Sequence, residues 1–137
     1  MFVPSSDYLG TLPFFALFFA AACLLLAVFA LIYTFVTPFN ELRLIRAGNS
    51  AAAISFSGAM IGFAIPLAGV IENSVSLADM LVWGVVALVI QLLAFLVARL
   101  LLPELVRQIE GAEVGPAIVV GAFSIVIGIL NAACVTY

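Results

Sequence analysis

Four long stretches without a charged residue constrain this chain more than any other feature of its sequence. They cover positions 8–40, 47–71, 80–98 and 114–137. Each exceeds the roughly 18 apolar residues that mark a membrane span, because about 20 helical residues cross a hydrocarbon core of about 30 Å. Since a backbone in lipid must satisfy its own hydrogen bonds, such uninterrupted runs form helices. None alternates in the manner of a lipid-facing barrel strand.

The composition indicates the same class, an all-α membrane protein. Hydrophobic residues make up 67% of the 137 residues and charged residues only 8%, whereas a soluble domain is about half apolar and about a quarter charged. We therefore predict a single transmembrane domain over 1–137 with four transmembrane helices. Their expected bounds are about 13–36, 51–71, 80–101 and 115–136.

The residue types that carry most catalytic and metal chemistry are missing or isolated. The chain has no His, and therefore no His-ligated haem, His-based zinc site or His proton relay. Cys23 and Cys134 are expected at different depths, too far apart for a disulfide. No CxxC, HExxH or phosphate-cradling glycine loop is present, and no basic patch suits nucleic acid. We expect no enzyme activity, cofactor, metal or nucleic-acid partner.

The arginines predict the orientation. Arg43 and Arg46 follow the first span, while Arg99 and Arg107 flank the end of the third. The loop between the second and third spans is acidic and contains no Lys or Arg. The positive-inside rule then places 37–50 and 100–113 in the cytoplasm. With an even number of spans, both termini face the periplasmic or extracellular side.

Both predicted cytoplasmic segments have the pattern of a short interfacial helix. In TPFNELRLIRAG, Thr37 suits the cap, Pro38 the first helical position and Gly48 the residue past the end. The expected apolar side contains Phe39, Leu42 and Ile45. The expected polar side contains Asn40, Glu41, Arg43 and Arg46. A helix of this kind lies in the headgroup region, where its polar side can meet a cytoplasmic partner.

The second segment, LPELVRQIEG, repeats this punctuation, with Pro103 opening it and Gly111 closing it. When the sequence is compared with itself at one fixed shift, Glu41 aligns with Glu104 and Gly48 with Gly111. A unit of helix, interfacial turn and helix therefore occurs twice, at 12–74 and 75–137. Two spans in each unit make this a parallel repeat of helical hairpins.

Small residues form stripes on the second and fourth spans. Gly58, Gly62 and Pro66 follow one another at a spacing of four, and Gly121 and Gly128 lie on a similar stripe. Such stripes let two helices approach closely. They are consistent with packing between spans two and four, with subunit contacts or with a pore lining. Pro66 should also kink its helix and free a carbonyl one turn earlier.

Two amides interrupt the apolar spans. Gln91 lies near the middle of span three, and Asn131 lies in span four. In hydrocarbon such groups seek a partner, at a gain of roughly 0.6–2 kcal/mol for each interhelical hydrogen bond. They either join helices of one chain or line an oligomer axis or solute site, since intramembrane polar groups often mark pathways.

Three stretches resemble a known family: TPFNELRLI...GNSAAAISFSGAMIGFAIPLA, WGVVALVIQLLAF and the terminal NAACVTY. Together they are similar to the YjfL-type bacterial inner-membrane proteins, domain of unknown function 350. The resemblance implies a four-span protein of the bacterial inner membrane and genomic company with envelope-stress genes. No family catalytic residue is established that could be carried over to this chain.

Two functions remain open from the sequence. The first is a homo-oligomeric channel-like or transport-related assembly with Gln91 or Asn131 facing its axis, because four spans do not readily enclose a hydrophilic route. The second is a membrane scaffold in the envelope stress response, whose turns at 38–48 and 103–111 dock a cytoplasmic protein partner.

Overall fold

The computed structural model describes residues 5–135, which form six helices and the turns between them. The helices are α1 (Ser5–Val36), α2 (Glu41–Arg46), α3 (Ser50–Asn73), α4 (Leu77–Leu101), α5 (Leu105–Glu110) and α6 (Val114–Cys134). No strand occurs between residues 5 and 135, which confirms the all-α prediction. Positions 1–4 and 136–137, which the predicted domain includes, lie outside the described residues.

Four of the helices are long and apolar enough to cross a membrane. These segments are Leu9–Val36 within α1 and the whole of α3, α4 and α6. They correspond to the four predicted spans. The short helices α2 and α5 lie at one end of the bundle, because the Asn49 side chain before α3 donates to the Ile109 carbonyl of α5 at 2.8 Å. We call this end the α2/α5 end.

Asparagine side chains begin α2 and α3. Asn40 Oδ1 accepts from the Arg43 N–H and Asn49 Oδ1 from the Ala52 N–H, both at 3.1 Å. Each bond satisfies a backbone donor that the first helical turn would otherwise leave unpaired. Both asparagines therefore fix where the chain turns at the α2/α5 end.

The starts predicted for the two short helices are wrong. The Thr37 hydroxyl donates to the Tyr33 carbonyl at 3.1 Å, so it completes the end of α1 and does not cap α2. Pro38 accordingly lies in a bend, and α2 begins at Glu41. Pro103 likewise precedes its helix, since α5 begins at Leu105.

Both short helices end in a Schellman motif. In each, two N–H groups beyond the helix donate to carbonyls of its last turn at 2.9–3.0 Å. The residue with the left-handed backbone is Gly48 after α2 (φ 86°) but Ala112 after α5 (φ 60°). Gly111, predicted to close the second short helix, is its C-cap, with φ −80°. The left-handed position lies one residue later than the sequence indicated.

The centre of the bundle is the pair α3 and α6, with α4 packed against both. α1 packs on α3 and α4 through its second half, where Leu25, Phe29 and Tyr33 are buried. Its first half is exposed, and Leu9 and Phe15 are more than half accessible. In a bilayer this apolar surface contacts lipid, which has no unfavourable interaction with apolar side chains.

Candidate functional site

The predicted close-packing glycines lie where α3 crosses α6. A Cβ added to Gly58 would collide with the Cα of Gly121, and one added to Gly62 would lie 2.5 Å from the Ser124 carbonyl oxygen. The two backbones are therefore as close as glycine permits, which is the geometry of small-residue membrane interfaces. These glycines contact each other within one chain.

Pro66 lies one helical turn after Gly62, at the same crossing of α3 and α6. Because proline has no N–H, the carbonyl of Gly62, four residues earlier, lacks its helical donor. α6 covers this carbonyl, since a Cβ on Gly128 would collide with the Gly62 oxygen. Only the Cα hydrogens of Gly128 face it, an arrangement that suits a weak Cα–H···O bond. α3 continues through Pro66 to Asn73.

Gln91 and Asn131 face each other between α4 and α6. Gln91 Nε2 donates to the Ser124 carbonyl at 3.2 Å, and Asn131 Nδ2 donates to the Ala87 carbonyl at 3.2 Å and more weakly to Gln91 Oε1 at 3.5 Å. Both amides are buried. They join two helices of one chain, and neither faces the outer surface of the bundle. Asn131 Oδ1 has no hydrogen-bond partner within residues 5–135.

The outer side of the α3–α6 crossing forms a shallow apolar groove of about 450 Å³. Its floor is the contact between Gly58 and Gly121, and isoleucines form its walls. The lining residues are Ala53, Ile54, Ser57, Gly58, Ile61, Ile118, Gly121, Ala122 and Ile125. We call this surface the α3–α6 groove.

A second buried polar group lies near the α2/α5 end and consists of Tyr33 from α1, Glu41 from α2 and Ser55 from α3. We call it the Glu41 cluster. These residues are 1%, 1% and 0% exposed, respectively. The Tyr33 hydroxyl lies beside both the Ser55 hydroxyl and the Glu41 carboxyl. None of the four side-chain oxygens forms a hydrogen bond of normal geometry with any described residue.

Burial raises the pKa of the Glu41 carboxyl from 4.5 to about 8, and the nearby hydroxyls of Thr37 and Tyr33 offset part of this rise. No described arginine forms an ion pair with it, and Arg43 and Arg46 on the same helix are exposed. Glu41 also lines a partly open cavity of about 480 Å³ with Thr34, Phe35, Thr37, Pro38, Phe39, Asn40 and Leu42. A carboxyl group placed this way can exchange a proton near neutral pH.

α2 is rotated relative to its amphipathic pattern. Glu41, predicted on the polar side, is buried, whereas Leu42, predicted on the apolar side, is 54% exposed. The reason is the later start of the helix, which puts Glu41 in the first turn beside Tyr33. Asn40, Arg43 and Arg46 are exposed and can meet a partner, but Glu41 cannot.

Sequence reasoning missed three residues that matter here: Tyr33, Asn49 and Ser55. Tyr33 and Ser55 complete the Glu41 cluster, and Asn49 both caps α3 and anchors α5. Each is a hydrogen-bonding side chain within or next to an apolar run, which is the only signal that the sequence offered. Within residues 5–135, no group of three or more His, Cys, Asp or Glu side chains could hold a metal.

The fold and these polar groups define a helical, multi-span membrane protein. The chain belongs to the family described as Domain of Unknown Function (DUF350), which matches residues 7–135. It is 39% identical over 129 residues, 94% of this chain and 98% of the relative, to the UPF0719 inner membrane protein YjfL of Escherichia coli (strain K12). It is 29% identical over 89 residues, 65% of this chain and 66% of the relative, to the UPF0719 transmembrane protein YshE of Bacillus subtilis (strain 168). No solved structure matches the chain. The family resemblance predicted from the sequence is confirmed.

Proposed function

We propose that this inner-membrane protein forms a homo-oligomeric, channel-like or transport-related assembly. The observation that supports this best is the set of unpartnered polar atoms buried at two depths, in the Glu41 cluster and at Asn131. A polar group without a partner in an apolar medium is destabilising by about 2–7 kcal/mol. Intramembrane polar groups of this kind mark solute or ion pathways. The proposed role is passage across the membrane, without enzymatic conversion.

Aromatic rings separate the two depths within one protomer. Phe29 and Phe63 stack with their centroids 4.7 Å apart, and Tyr33 meets Phe95 edge to face at 4.9 Å. A continuous route therefore requires several copies to build it together. We expect a second copy to pack a helix into the α3–α6 groove, whose small residues permit close approach.

Conductance across planar bilayers in KCl tests the transport role. We expect the wild-type protein to conduct, and Gln91→Leu to abolish conductance because it removes polarity at the middle depth. Gln108→Leu, the same change on the short helix α5, is the matched control and should conduct normally. Circular dichroism checks that every variant folds. A wild-type protein without conductance, or a Gln91→Leu variant that conducts normally, would contradict a transport role.

A scaffold is the second candidate, and one observation favours it. The exposed side of α2 lines a cavity of about 460 Å³ that includes Asn40, Arg43 and, from α5, Glu110. Such a polar recess suits a protein partner in the envelope stress response. Arg43→Glu combined with Arg46→Glu should then remove partner binding in pull-downs and spare conductance, the reverse of Gln91→Leu. Unchanged binding in the double variant would exclude this surface.

For both candidate functions we propose the same membrane orientation, with the α2/α5 end in the cytoplasm. Arg43, Arg46 and Arg107 lie at this end and are exposed, as the positive-inside rule requires of a cytoplasmic face. Alkaline phosphatase fused after position 137 should be active, because it folds only outside the cytoplasm. An inactive fusion, together with a fluorescent green fluorescent protein fusion at the same place, would reverse the assignment.

A further inference from the structure

We infer that the Glu41 cluster is a binding site for one alkali-metal cation, Na⁺ or K⁺, held by the Glu41 carboxylate with the Tyr33 and Ser55 hydroxyls. Each of these residues comes from a different helix, and all three are at most 1% exposed. The site lies within a single protomer, so it does not depend on how many copies assemble or whether they conduct.

The donor set consists of oxygen atoms alone. Four side-chain oxygens form no hydrogen bond of normal geometry within the described chain, namely both carboxyl oxygens of Glu41, Tyr33 Oη and Ser55 Oγ. Hard cations take oxygen ligands of this kind. The Tyr33 hydroxyl lies beside both the Glu41 carboxyl and the Ser55 hydroxyl, and the Thr37 hydroxyl beside the carboxyl offers a further oxygen. Transition metals prefer the imidazole and thiolate ligands that the cluster lacks.

The charge of the site matches one positive charge. Glu41 is its sole carboxylate, and no described arginine pairs with it. Arg43 and Arg46, on the same helix as Glu41, are exposed to solvent. α1 and α3 contribute the neutral side chains of Tyr33 and Ser55 to the cluster. A divalent ion would leave an uncompensated positive charge in a buried site, which is strongly unfavourable. A monovalent cation leaves the site neutral.

The other half of the chain lacks this cluster. At the offset that aligns Glu41 with Glu104, Tyr33 corresponds to Leu96 and Ser55 to Ile118. Glu104 is exposed and forms an ion pair with Arg107 at 2.6 Å. Leu96 and Ile118 are 39% and 52% exposed, so the second unit has neither polar nor buried side chains at these positions. The buried oxygen cluster is therefore a feature of the first unit.

A partly open cavity lies next to the cluster. Glu41 lines the partly open cavity at the α2/α5 end, whose other polar lining groups include Thr34, Thr37 and Asn40. Their hydroxyl and amide oxygens can replace part of the hydration shell of an entering ion.

The cation and a proton compete for Glu41. Burial raises the pKa of the carboxyl above its ordinary value in the cation-free protein, so a larger fraction is protonated near neutral pH than in an exposed glutamate. Binding requires the ionised form, so the apparent dissociation constant should be higher near pH 7 than near pH 9. Binding should also release a proton at neutral pH.

Infrared difference spectroscopy of the protein in nanodiscs tests the site directly. Near pH 7 in N-methylglucamine chloride, we expect the carbonyl band of a protonated carboxylic acid. Adding NaCl or KCl at constant ionic strength should replace it with carboxylate bands. Glu41→Gln should lack this response, and the matched variant Glu104→Gln should keep it. Ser55→Ala retains the carboxyl but loses one ligand, and should need at least about tenfold more cation.

Each alternative has its own signature. An acid band that titrates with pH but ignores both cations means a proton-only site and overturns the inference. Absence of both the band and any cation response means that water fills the site, with the same consequence. A response that persists in Glu41→Gln places the cation elsewhere. If Glu41→Gln fails to fold, an unchanged cation requirement in Ser55→Ala is sufficient to overturn the assignment.

Discussion

Replacement of Gly128 by alanine tests the closest contact in the bundle. The new Cβ would collide with the Gly62 carbonyl oxygen, and a backbone atom in the middle of a packed helix cannot move aside as a side chain can. Overpacking of this kind is destabilising by about 1–3 kcal/mol and sometimes more. The higher helix propensity of alanine offsets about 1 kcal/mol of this loss of stability. Because the clash falls on backbone, we take the upper limit and expect a net loss of about 2 kcal/mol.

Gly69→Ala is the matched control within the same helix pair. Its Cβ would meet the Ala132 side chain and carbonyl at 3.8 Å, an ordinary van der Waals contact. Only the propensity gain remains, so this variant should be more stable by about 0.5–1 kcal/mol. Titration with SDS in mixed micelles, followed by circular dichroism, measures the difference between the variants, expected near 3 kcal/mol. Equal stability for both would refute the close approach of α3 and α6.

Three further predictions concern the α2/α5 end, all measurable by the same unfolding assay. Asn49→Ala should lose about 1–3 kcal/mol, because it removes both the cap of α3 and the buried hydrogen bond to the Ile109 carbonyl of α5. Asn40→Ala removes only an exposed cap and should lose about 0.5–1 kcal/mol; equal losses would contradict the anchoring bond. Ala112→Gly should gain about 0.5–1 kcal/mol, because φ is 60° there; a loss would exclude the left-handed turn. Without alkali cations, stability should fall as pH rises from about 4.5 to about 8, because the folded state holds the Glu41 proton more tightly than the unfolded chain. Glu41→Gln should remove this dependence, and a stability that rises over the same interval would have the wrong sign.

The sequence predicted the helices well because each span rests on a single strong signal. A run of about 20 apolar residues has one stable arrangement in lipid, and α3, α4 and α6 each begin and end close to the predicted residues. The glycine spacing also indicated which helices approach closely, although it left open whether they belong to one chain. The contact between Gly58 and Gly121 places them in one chain.

The polar groups were harder to predict because their surroundings come from distant parts of the chain. Gln91 contacts Ser124 and Asn131, more than thirty positions away, so the sequence alone left both a pore lining and a helix contact open. Glu41 was assigned to the wrong side of α2 because its three-residue pattern assumed a helix that begins at Pro38. The Thr37 hydroxyl bonds to the Tyr33 carbonyl at the end of α1, so α2 begins later than predicted. A local sequence pattern does not show which of two neighbouring helix ends such a side chain will bond.

The number of copies in the membrane tests the central proposal most directly. Native mass spectrometry of the wild-type protein released from nanodiscs counts subunits without added partners. A channel-like assembly predicts a closed ring of about four or more copies, as expected for cyclic symmetry around an axial route. A monomer or a dimer leaves no axis wide enough for such a route and would contradict the proposal.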